Sequence, residues 1–186
     1  VLSEEGRHIP YEERRQWKTL WVVDPLDGTK EFIKRNGEFT VNIALIEDGV
    51  PTAGVIYVPV RKELYFGSLD KGAFKASDID YNHQPTFEVL HATAKRLPAN
   101  QLHQGVVVVA SRSHMTEETR LYVDNLRKQG MPVTMISSGS SLKICLVAEG
   151  SADIYPRFAP TMEWDTAAGH AIAKAAGCEV YHIDEK

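Results

Sequence analysis

Two aspartates three residues apart are the part of this sequence best suited to chemistry. Asp24 and Asp27 lie in Trp21-Val-Val-Asp-Pro-Leu-Asp-Gly-Thr-Lys30, where they end an apolar run. Asp-Pro and Asp-Gly do not continue such a run as a regular strand, so we expect a turn that presents both carboxylates from a strand end. Hard divalent cations such as Mg²⁺ prefer carboxylate oxygens, often together with substrate phosphate. The pattern therefore suggests metal-assisted phosphoryl hydrolysis.

Two further acidic sites frame this turn. Glu4 and Glu5 precede it, and Asp165 follows Trp164 far downstream. Two carboxylates about 4 Å apart repel by roughly 4 kcal/mol at an effective dielectric constant of 20, so several of them brought together indicate bound cations. Taken alone, Asp-Pro-Leu-Asp-Gly is also an ordinary turn sequence, and paired glutamates usually lie on a solvated surface.

Composition limits the class of protein. The 186 residues suffice for one good core or two small ones, and 43% hydrophobic with 25% charged residues is usual for a soluble globular protein. No apolar run reaches the length of a membrane span, and Glu4 and Glu5 follow the first residues too closely for a signal peptide, so we expect a cytoplasmic protein. Cys145 and Cys178 lack metal-ligand spacing and are predicted to be reduced core residues.

The formal net charge of −4 argues against general nucleic-acid binding. It also opposes an anionic phosphate substrate, so cations and a local basic cluster must overcome the overall field. The candidates for that cluster are Lys30, Lys34, Arg35, Arg112, Lys143 and Arg157.

Hydrophobic patterning predicts strands in the first half and alternating strands and helices in the second. Asp-Gly and proline turns separate the early strands into an antiparallel meander, and glycines end the later helices. The predicted strands are Thr19–Val23, Phe39–Ile46, Ala53–Val58, Glu63–Phe66, Gly105–Ala110 and Ala152–Tyr155. The predicted helices are Thr116–Gln129, Ser140–Glu149 and Thr166–Ala176, with Lys30–Lys34 as a short helix and Tyr11–Lys18 as a loop or short helix.

This order of elements predicts an α/β protein in which two sections form one catalytic unit. Residues 1–76 hold the metal-binding section with the antiparallel meander. Residues 105–186 form an α/β section that completes the substrate site, and residues 77–104 are a polar connecting excursion.

Long motifs in the chain resemble the inositol monophosphatase superfamily of Mg²⁺-dependent, lithium-sensitive phosphatases, and in particular its 3′(2′),5′-bisphosphate nucleotidase branch. The motifs that carry the resemblance are Asp24–Thr29, Lys30–Leu45, Ser111–His114, Gly139–Lys143, Tyr155–Arg157 and Trp164–His170. The resemblance implies a layered α/β (α+β) fold, the αβαβα sandwich, with the active site between the sections. We expect the N-terminal helices and the last strand of that fold to be absent from this chain.

The resemblance also implies roles for the acidic residues. Two or three Mg²⁺ ions would be held by Glu4, Asp24, Asp27, Asp165 and the backbone carbonyl of Leu26. Glu4, Asp27 and Thr29 would be the catalytic residues, since Glu4 and Thr29 orient the attacking water.

A second set of residues is expected to bind the substrate. Gly28 allows a phosphate close to the backbone, and the free N–H groups of a helix that starts at Thr29 attract anions. Hydroxyls and a lysine at the start of the 140–149 helix suit a phosphate, although Thr29, Ser140 and Asp165 are also ordinary helix-capping types. The full predicted set is Gly28, Thr29, His114, Ser140, Lys143, Arg157 and Asp165.

The reaction expected from the resemblance is hydrolysis of 3′-phosphoadenosine 5′-phosphate, a by-product of sulfate assimilation, to AMP and phosphate. Water would attack directly, without a covalent phosphoenzyme, and the metal ions would activate it and neutralise the leaving oxygen. The expected partner is a small nucleotide bisphosphate rather than nucleic acid or membrane, and the expected protein is a monomer or homodimer.

Two alternatives stay open at this point. The shared metal motif also fits an inositol monophosphatase or a sugar-bisphosphate phosphatase, which Lys30–Phe32 and Gly139–Lys143 disfavour. A binder of nucleotide or metal without catalysis is the other alternative, and the intact set of acidic residues with Thr29 argues against it.

Overall fold

The computed structural model describes residues 1–80, 82, 85–99, 103–112 and 115–182. These residues form a larger and a smaller sheet with helices packed against them. The strands are β1 (Leu2–Ser3), β2 (Thr19–Asp27), β3 (Thr40–Glu47), β4 (Val50–Val58), β5 (Glu63–Ser68), β6 (Gly72–Ala76), β7 (Lys95–Arg96), β8 (Val106–Ser111) and β9 (Val133–Ser138). The helices are α1 (Tyr11–Arg14), α2 (Thr29–Ile33), α3 (Phe87–Thr93), α4 (Glu117–Lys128), α5 (Leu142–Ala148) and α6 (Glu163–Ala175).

The larger sheet follows chain order from β1 to β7. Strands β2 to β6 form the antiparallel meander that the turns predicted, while β1 lies parallel to β2 at one edge. Strand β7 pairs with β6 at the other edge, so the predicted connecting segment contributes a strand and helix α3. Strands β8 and β9 pair in parallel across helix α4, which gives the mixed α/β fold expected for the second half.

Strand β2 contains the most consequential irregularity of the sheet. Asp24 pairs with Asn42 and Asp27 with Thr40, so three steps along β2 match two steps along β3. Side chains three residues apart on a regular strand point to opposite faces, but one extra residue in a bulge restores them to the same face. The sequence suggested a turn at Asp24. In the structure the chain instead continues as a strand to Asp27 and turns at Gly28, whose φ is 90°.

Helix α6 lies directly on the buried face of the meander. It contacts strands β2 to β6, and its small residues Ala168 and Ala171 are buried there with Ile172. A Cβ added to Gly54 on β4 would lie 2.3 Å from the Ala168 carbonyl oxygen. The absence of a side chain at Gly54 therefore allows the helix to approach the strand backbone and fixes its height over the sheet.

Some predicted elements were wrong in extent. The strand predicted at Ala152–Tyr155 is reduced to a single bridge between Ile154 and Val108. Helix α6 begins at Glu163 rather than Thr166, because the side chain of Asp165 closes its first turn. Helix α5 begins at Leu142, after two serines that do not form its regular cap, and Tyr11–Arg14 adopts the short-helix alternative.

Both cysteines are free thiols, as predicted; Cys145 is buried and Cys178 half-buried. Helices long and apolar enough to cross a membrane are absent from the described part of the chain.

We predict that Gly54→Ala destabilises the fold by about 3 kcal/mol, because the new methyl group would collide with the backbone of helix α6, which cannot rotate away. Urea unfolding followed by circular dichroism measures the change. Val50→Ala on the same strand is the control, since Val50 is half exposed and its truncation should cost less than about 1 kcal/mol. Equal stabilities of the two variants would contradict the predicted contact.

Candidate functional site

Three carboxylates converge where the bulged end of β2 meets the start of helix α6. Asp24, Asp27 and Asp165 each offer one oxygen, and these oxygens all lie within 4.8 Å of one another. Asp24 and Asp27 reach this point because of the bulge, and Asp165 because it lies in the first turn of a helix packed on the sheet. The cluster that the sequence suggested is therefore formed by segments distant in the chain.

Asp24 is the most buried of the three, at 1% exposure. Its Oδ1 accepts a hydrogen bond from the Leu26 N–H at 2.9 Å, whereas its Oδ2 is buried without a hydrogen-bond donor among the described residues. Burial, then the negative charge of Asp27, raises the pKa of Asp24 to about 7, and the Leu26 N–H opposes that rise. A buried carboxylate oxygen without a donor suits a cation, so the residues present fit a metal site.

Asp27 is held firmly through one of its oxygens. Its Oδ2 accepts hydrogen bonds from both the N–H and the hydroxyl of Ser141, each at 2.6 Å. Weaker contacts come from the Asn42 amide at 3.3 Å and the Thr40 hydroxyl at 3.4 Å. The carboxylate is thus fixed in one orientation by donors on strand β3 and at the start of helix α5.

Asp165 combines a structural contact with its place in the cluster. Its Oδ2 accepts hydrogen bonds from the Thr161 hydroxyl at 2.6 Å and the Met162 N–H at 3.0 Å, which closes the first turn of the helix. Its backbone carbonyl lies 2.7 Å from the Ser141 hydroxyl oxygen and is the second possible acceptor, beside Asp27, for the one proton of that hydroxyl. The capping role is therefore compatible with a place in the carboxylate cluster, and the metal-ligand role of Asp165 stays a prediction.

Glu4 and Leu26 lie beside the cluster rather than within it. The Glu4 N–H donates to the Val23 carbonyl at 3.3 Å, which brings its exposed side chain next to Asp24, and its charge is one cause of the raised Asp24 pKa. Glu4 does not belong to the described group of three mutually close carboxylates. The ligand roles of Glu4 and of the Leu26 carbonyl stay predictions.

A cavity of about 280 Å³ opens beside Asp27 and Asp165. Its walls include every predicted substrate-binding residue that the structure describes: Gly28, Thr29, Ser140, Lys143, Arg157 and Asp165. Lys30, a candidate for the basic cluster, also lines it. His114 lies outside the described residues. Among the other basic candidates, Lys34, Arg35 and Arg112 are not part of the cavity wall, and Arg112 is bound to Glu38 at 2.9 Å.

Lys143 is buried, not solvated as an isolated helix-start lysine would be. It is 4% exposed, donates from Nζ to the Ser140 carbonyl at 2.5 Å and lies 5.5 Å from the centre of the Tyr155 ring. Burial, and to a lesser extent the charge of Arg157, lowers the pKa of Lys143, whereas Asp27 opposes this. Two cationic side chains therefore line a cavity next to a negative cluster, which suits a ligand with more than one anionic group.

The turns at Gly28 and Ser140 meet at the cavity. A Cβ on Gly28 would lie 3.2 Å from the Ser140 Cβ, so glycine allows both the left-handed turn and this close contact. Helix α2, which starts at Thr29, has only five residues, so its free N–H groups rather than a long helix dipole would face an anion. The Ser140 hydroxyl donates to the Glu38 carbonyl at 2.6 Å and can still accept a hydrogen bond.

Sequence patterns overlooked Asn42, Thr40 and Ser141. Asn42 and Thr40 are 1% and 0% exposed on the face of β3 that packs against helix α6. The alternation along this strand gave the opposite signal, because the apolar Ile43 is 37% exposed while the polar Asn42 is buried. Ser141 was counted among the hydroxyls at the helix start that suit a phosphate, and its pairing with Asp27 could not be seen locally.

We predict a pH-dependent stability of the metal-free chain that disappears in Asp24→Asn. Because the pKa of Asp24 in the folded protein, about 7, lies above its ordinary value of 3.8, its contribution to stability is present below pH 4 and lost as the pH rises through 7. The free energy of unfolding of the variant, relative to that of the parent, should therefore rise by roughly 2 to 4 kcal/mol between pH 4 and pH 8. Urea unfolding in chelator measures it at each pH. The exposed Asp48→Asn should show a constant offset, and a constant offset for Asp24→Asn would contradict the prediction.

The chain is similar to several known proteins. The chain is 48% identical over 181 residues to the 3′(2′),5′-bisphosphate nucleotidase CysQ of Salmonella typhimurium, and 46% identical to that of Escherichia coli K12; each match covers 97% of this chain and 65% of the relative. The chain also superposes on the crystal structure of CysQ from Bacteroides thetaiotaomicron, a bacterial member of the inositol monophosphatase family. The TM-score is 0.88 and the sequence identity 61%, and the match covers 95% of this chain and 65% of the CysQ chain. The chain thus spans about 65% of the length of these relatives.

The model of the inositol monophosphatase family matches residues 1–186. This match covers the bulged strand that carries Asp24 and Asp27 and the helix that carries Asp165. With the fold confirmed by the solved relative, the chain belongs to the inositol monophosphatase family.

Proposed function

We propose that this chain carries the catalytic site of a Mg²⁺-dependent phosphomonoesterase that hydrolyses 3′-phosphoadenosine 5′-phosphate to AMP and phosphate. The observation that carries the proposal is the cluster of Asp24, Asp27 and Asp165 beside a cavity lined by Lys143 and Arg157. Membership of the family supports the phosphatase chemistry, and relatives named 3′(2′),5′-bisphosphate nucleotidase support the substrate.

The three clustered aspartates, with Glu4 and the Leu26 carbonyl, would hold two or three Mg²⁺ ions. Bound there, the ions supply an activated water and charge neutralisation for the phosphate and the leaving oxygen. The Oδ2 of Asp24 supports this assignment, since it is buried with no hydrogen-bond partner among the residues that the structure describes and an anionic oxygen in that position needs a positive partner.

Thr29 and Glu4 would orient the attacking water. Thr29 lies in the cavity wall directly after the Gly28 turn, and Glu4 is exposed and near enough to Asp24 for its charge to raise the pKa of that carboxyl. A water between these side chains could donate one proton to the Glu4 carboxylate while the Thr29 hydroxyl fixes its direction. No side chain of the described site is required as a covalent nucleophile in this scheme.

Lys143 and Arg157 would bind the second phosphate of the substrate. Arg157 donates to the Tyr155 hydroxyl at 3.1 Å and to the Pro160 carbonyl at 3.0 Å, which orients its guanidinium in the cavity wall. The buried ammonium of Lys143 lies over the same tyrosine ring. Two oriented cations next to the reacting phosphate favour a bisphosphate over a monophosphate.

A second candidate is an inositol monophosphatase or a sugar-bisphosphate phosphatase, because membership of the inositol monophosphatase family does not by itself select the phosphate ester. The cluster of carboxylates would serve either reaction. The cavity cations disfavour the inositol monophosphatase reading, since a single-phosphate substrate would leave Lys143 or Arg157 without an anionic partner. A sugar bisphosphate would satisfy both cations, so only measured substrate preference separates it from the nucleotide. A non-catalytic nucleotide or metal binder would keep cation binding but lack turnover.

We predict phosphate release from 3′-phosphoadenosine 5′-phosphate in Mg²⁺, faster than from inositol 1-phosphate and inhibited by lithium. Asp27→Asn should lower kcat by 100-fold or more, because it removes one negative charge from the metal cluster at constant shape. Asp48→Asn, with the same change of charge on an exposed turn, should keep full activity. Faster hydrolysis of inositol 1-phosphate would favour the second candidate, and unchanged turnover in Asp27→Asn would refute the metal assignment.

We also predict that Arg157→Ala discriminates between substrates. Loss of one charge-assisted phosphate contact should lower kcat/KM for 3′-phosphoadenosine 5′-phosphate by about 10- to 100-fold. The same variant should hydrolyse adenosine 3′-monophosphate, which lacks the second phosphate, at nearly the parental rate. Arg120→Ala on the exposed side of helix α4 controls for the change in net charge. Equal losses on both substrates would contradict the assignment of Arg157 to the second phosphate.

A further inference from the structure

Ser141 connects three separate parts of the site through one buried side chain. It is 3% exposed, and its N–H and hydroxyl both lie 2.6 Å from Asp27 Oδ2. Its hydroxyl also lies 2.7 Å from the Asp165 carbonyl and accepts a hydrogen bond from the Asn42 amide at 2.9 Å. A single residue thus contacts strand β2, strand β3 and helix α6.

These contacts are not those of an ordinary helix cap. Ser141 precedes Leu142 at the start of helix α5, but its side chain accepts no capping hydrogen bond from that helix. The hydroxyl has one proton and two acceptors, and the charged Asp27 oxygen is the stronger of the two. Ser141 is therefore turned away from its own helix and toward the carboxylate cluster.

We propose that Ser141 is a positioning residue of the cation site, an inference that rests on the metal-dependent function proposed above. By occupying Oδ2 of Asp27, it leaves the other oxygen of that carboxylate to face the cluster. Because it also contacts the Asp165 carbonyl, it fixes the backbone of Asp165 relative to the side chain of Asp27.

Electrostatic repulsion explains why such a residue is needed. Three carboxylates within 4.8 Å repel one another, and a carboxylate free to rotate about its side-chain bonds would turn away from the other two before a cation arrives. Hydrogen bonds that orient a ligand from behind typically change metal affinity by about 10- to 100-fold. Two donors on one oxygen, both from Ser141, are a strong form of this restraint.

The loop that carries Ser141 is anchored independently of its hydroxyl. Glu38, which is 7% exposed, accepts a hydrogen bond from the Gly139 N–H at 2.8 Å, and its carbonyl accepts one from the Ser140 hydroxyl at 2.6 Å. Removal of the Ser141 hydroxyl therefore leaves the loop and the N–H bond to Asp27 in place. The substitution Ser141→Ala isolates the contribution of the hydroxyl.

The experiment is a titration of the intact chain with Mn²⁺ alone, in which free Mn²⁺ is measured by electron paramagnetic resonance. We expect Ser141→Ala to weaken binding by about tenfold or more and Ser141→Thr, which keeps the hydroxyl, to stay within threefold of the parent. The matched control is Ser138→Ala: Ser138 is 2% exposed and its hydroxyl has no hydrogen-bond partner among the described residues, so parental affinity is expected. Thermal unfolding in chelator verifies that each variant is folded.

Three results would overturn the inference. An affinity of Ser141→Ala within twofold of the parent would show that the hydroxyl does not position Asp27. Equal losses in Ser141→Ala and Ser138→Ala would assign the effect to packing of the loop. Failure of the parental chain itself to bind Mn²⁺ would instead refute the metal-dependent function and, with it, this inference.

Discussion

Mutual repulsion among three carboxylates is the constraint around which this structure is arranged. Asp24, Asp27 and Asp165 bring oxygens within 4.8 Å of one another, and Asp24 is almost fully buried. Each is restrained differently. Asp27 accepts hydrogen bonds from Ser141, and Asp165 from the start of its own helix. Asp24 accepts one backbone N–H, and its other oxygen has no donor within the described part of the chain. Such an arrangement is costly without cations and favourable with them.

The scaffold holds these groups by contacts at both ends of helix α5. Ser141 contacts the cluster at its start, and Glu149 at its end accepts hydrogen bonds from the Tyr65 hydroxyl at 2.8 Å and Lys75 Nζ at 2.9 Å. Helix α6 is fixed over strand β4 by the close contact at Gly54. Rigid elements, rather than loops alone, therefore set the distances within the candidate site.

Local turn signals and alternation predicted the meander. The three aspartates as one cluster and most of the cavity wall were predicted from the resemblance of several motifs to a known family. Local patterns could not predict strands β1 and β7, since two residues are too few to show a period. Ser141 and Arg112 were misassigned for a different reason: their partners, Asp27 and Glu38, lie far away in the chain. Long-range hydrogen bonds leave no trace in the residues that flank them.

The bulge in strand β2 has a consequence for how this segment can diverge among homologues. The bulge lets residues 24 and 27 share one face, so substitution of Pro25 or Leu26 would alter the ligands only indirectly. Deletion or insertion of a single residue between them would instead rotate one carboxylate to the opposite side of the sheet. Selection should therefore act on the length of this segment more strictly than on its composition, and a gap there would mark a family member that has lost the site.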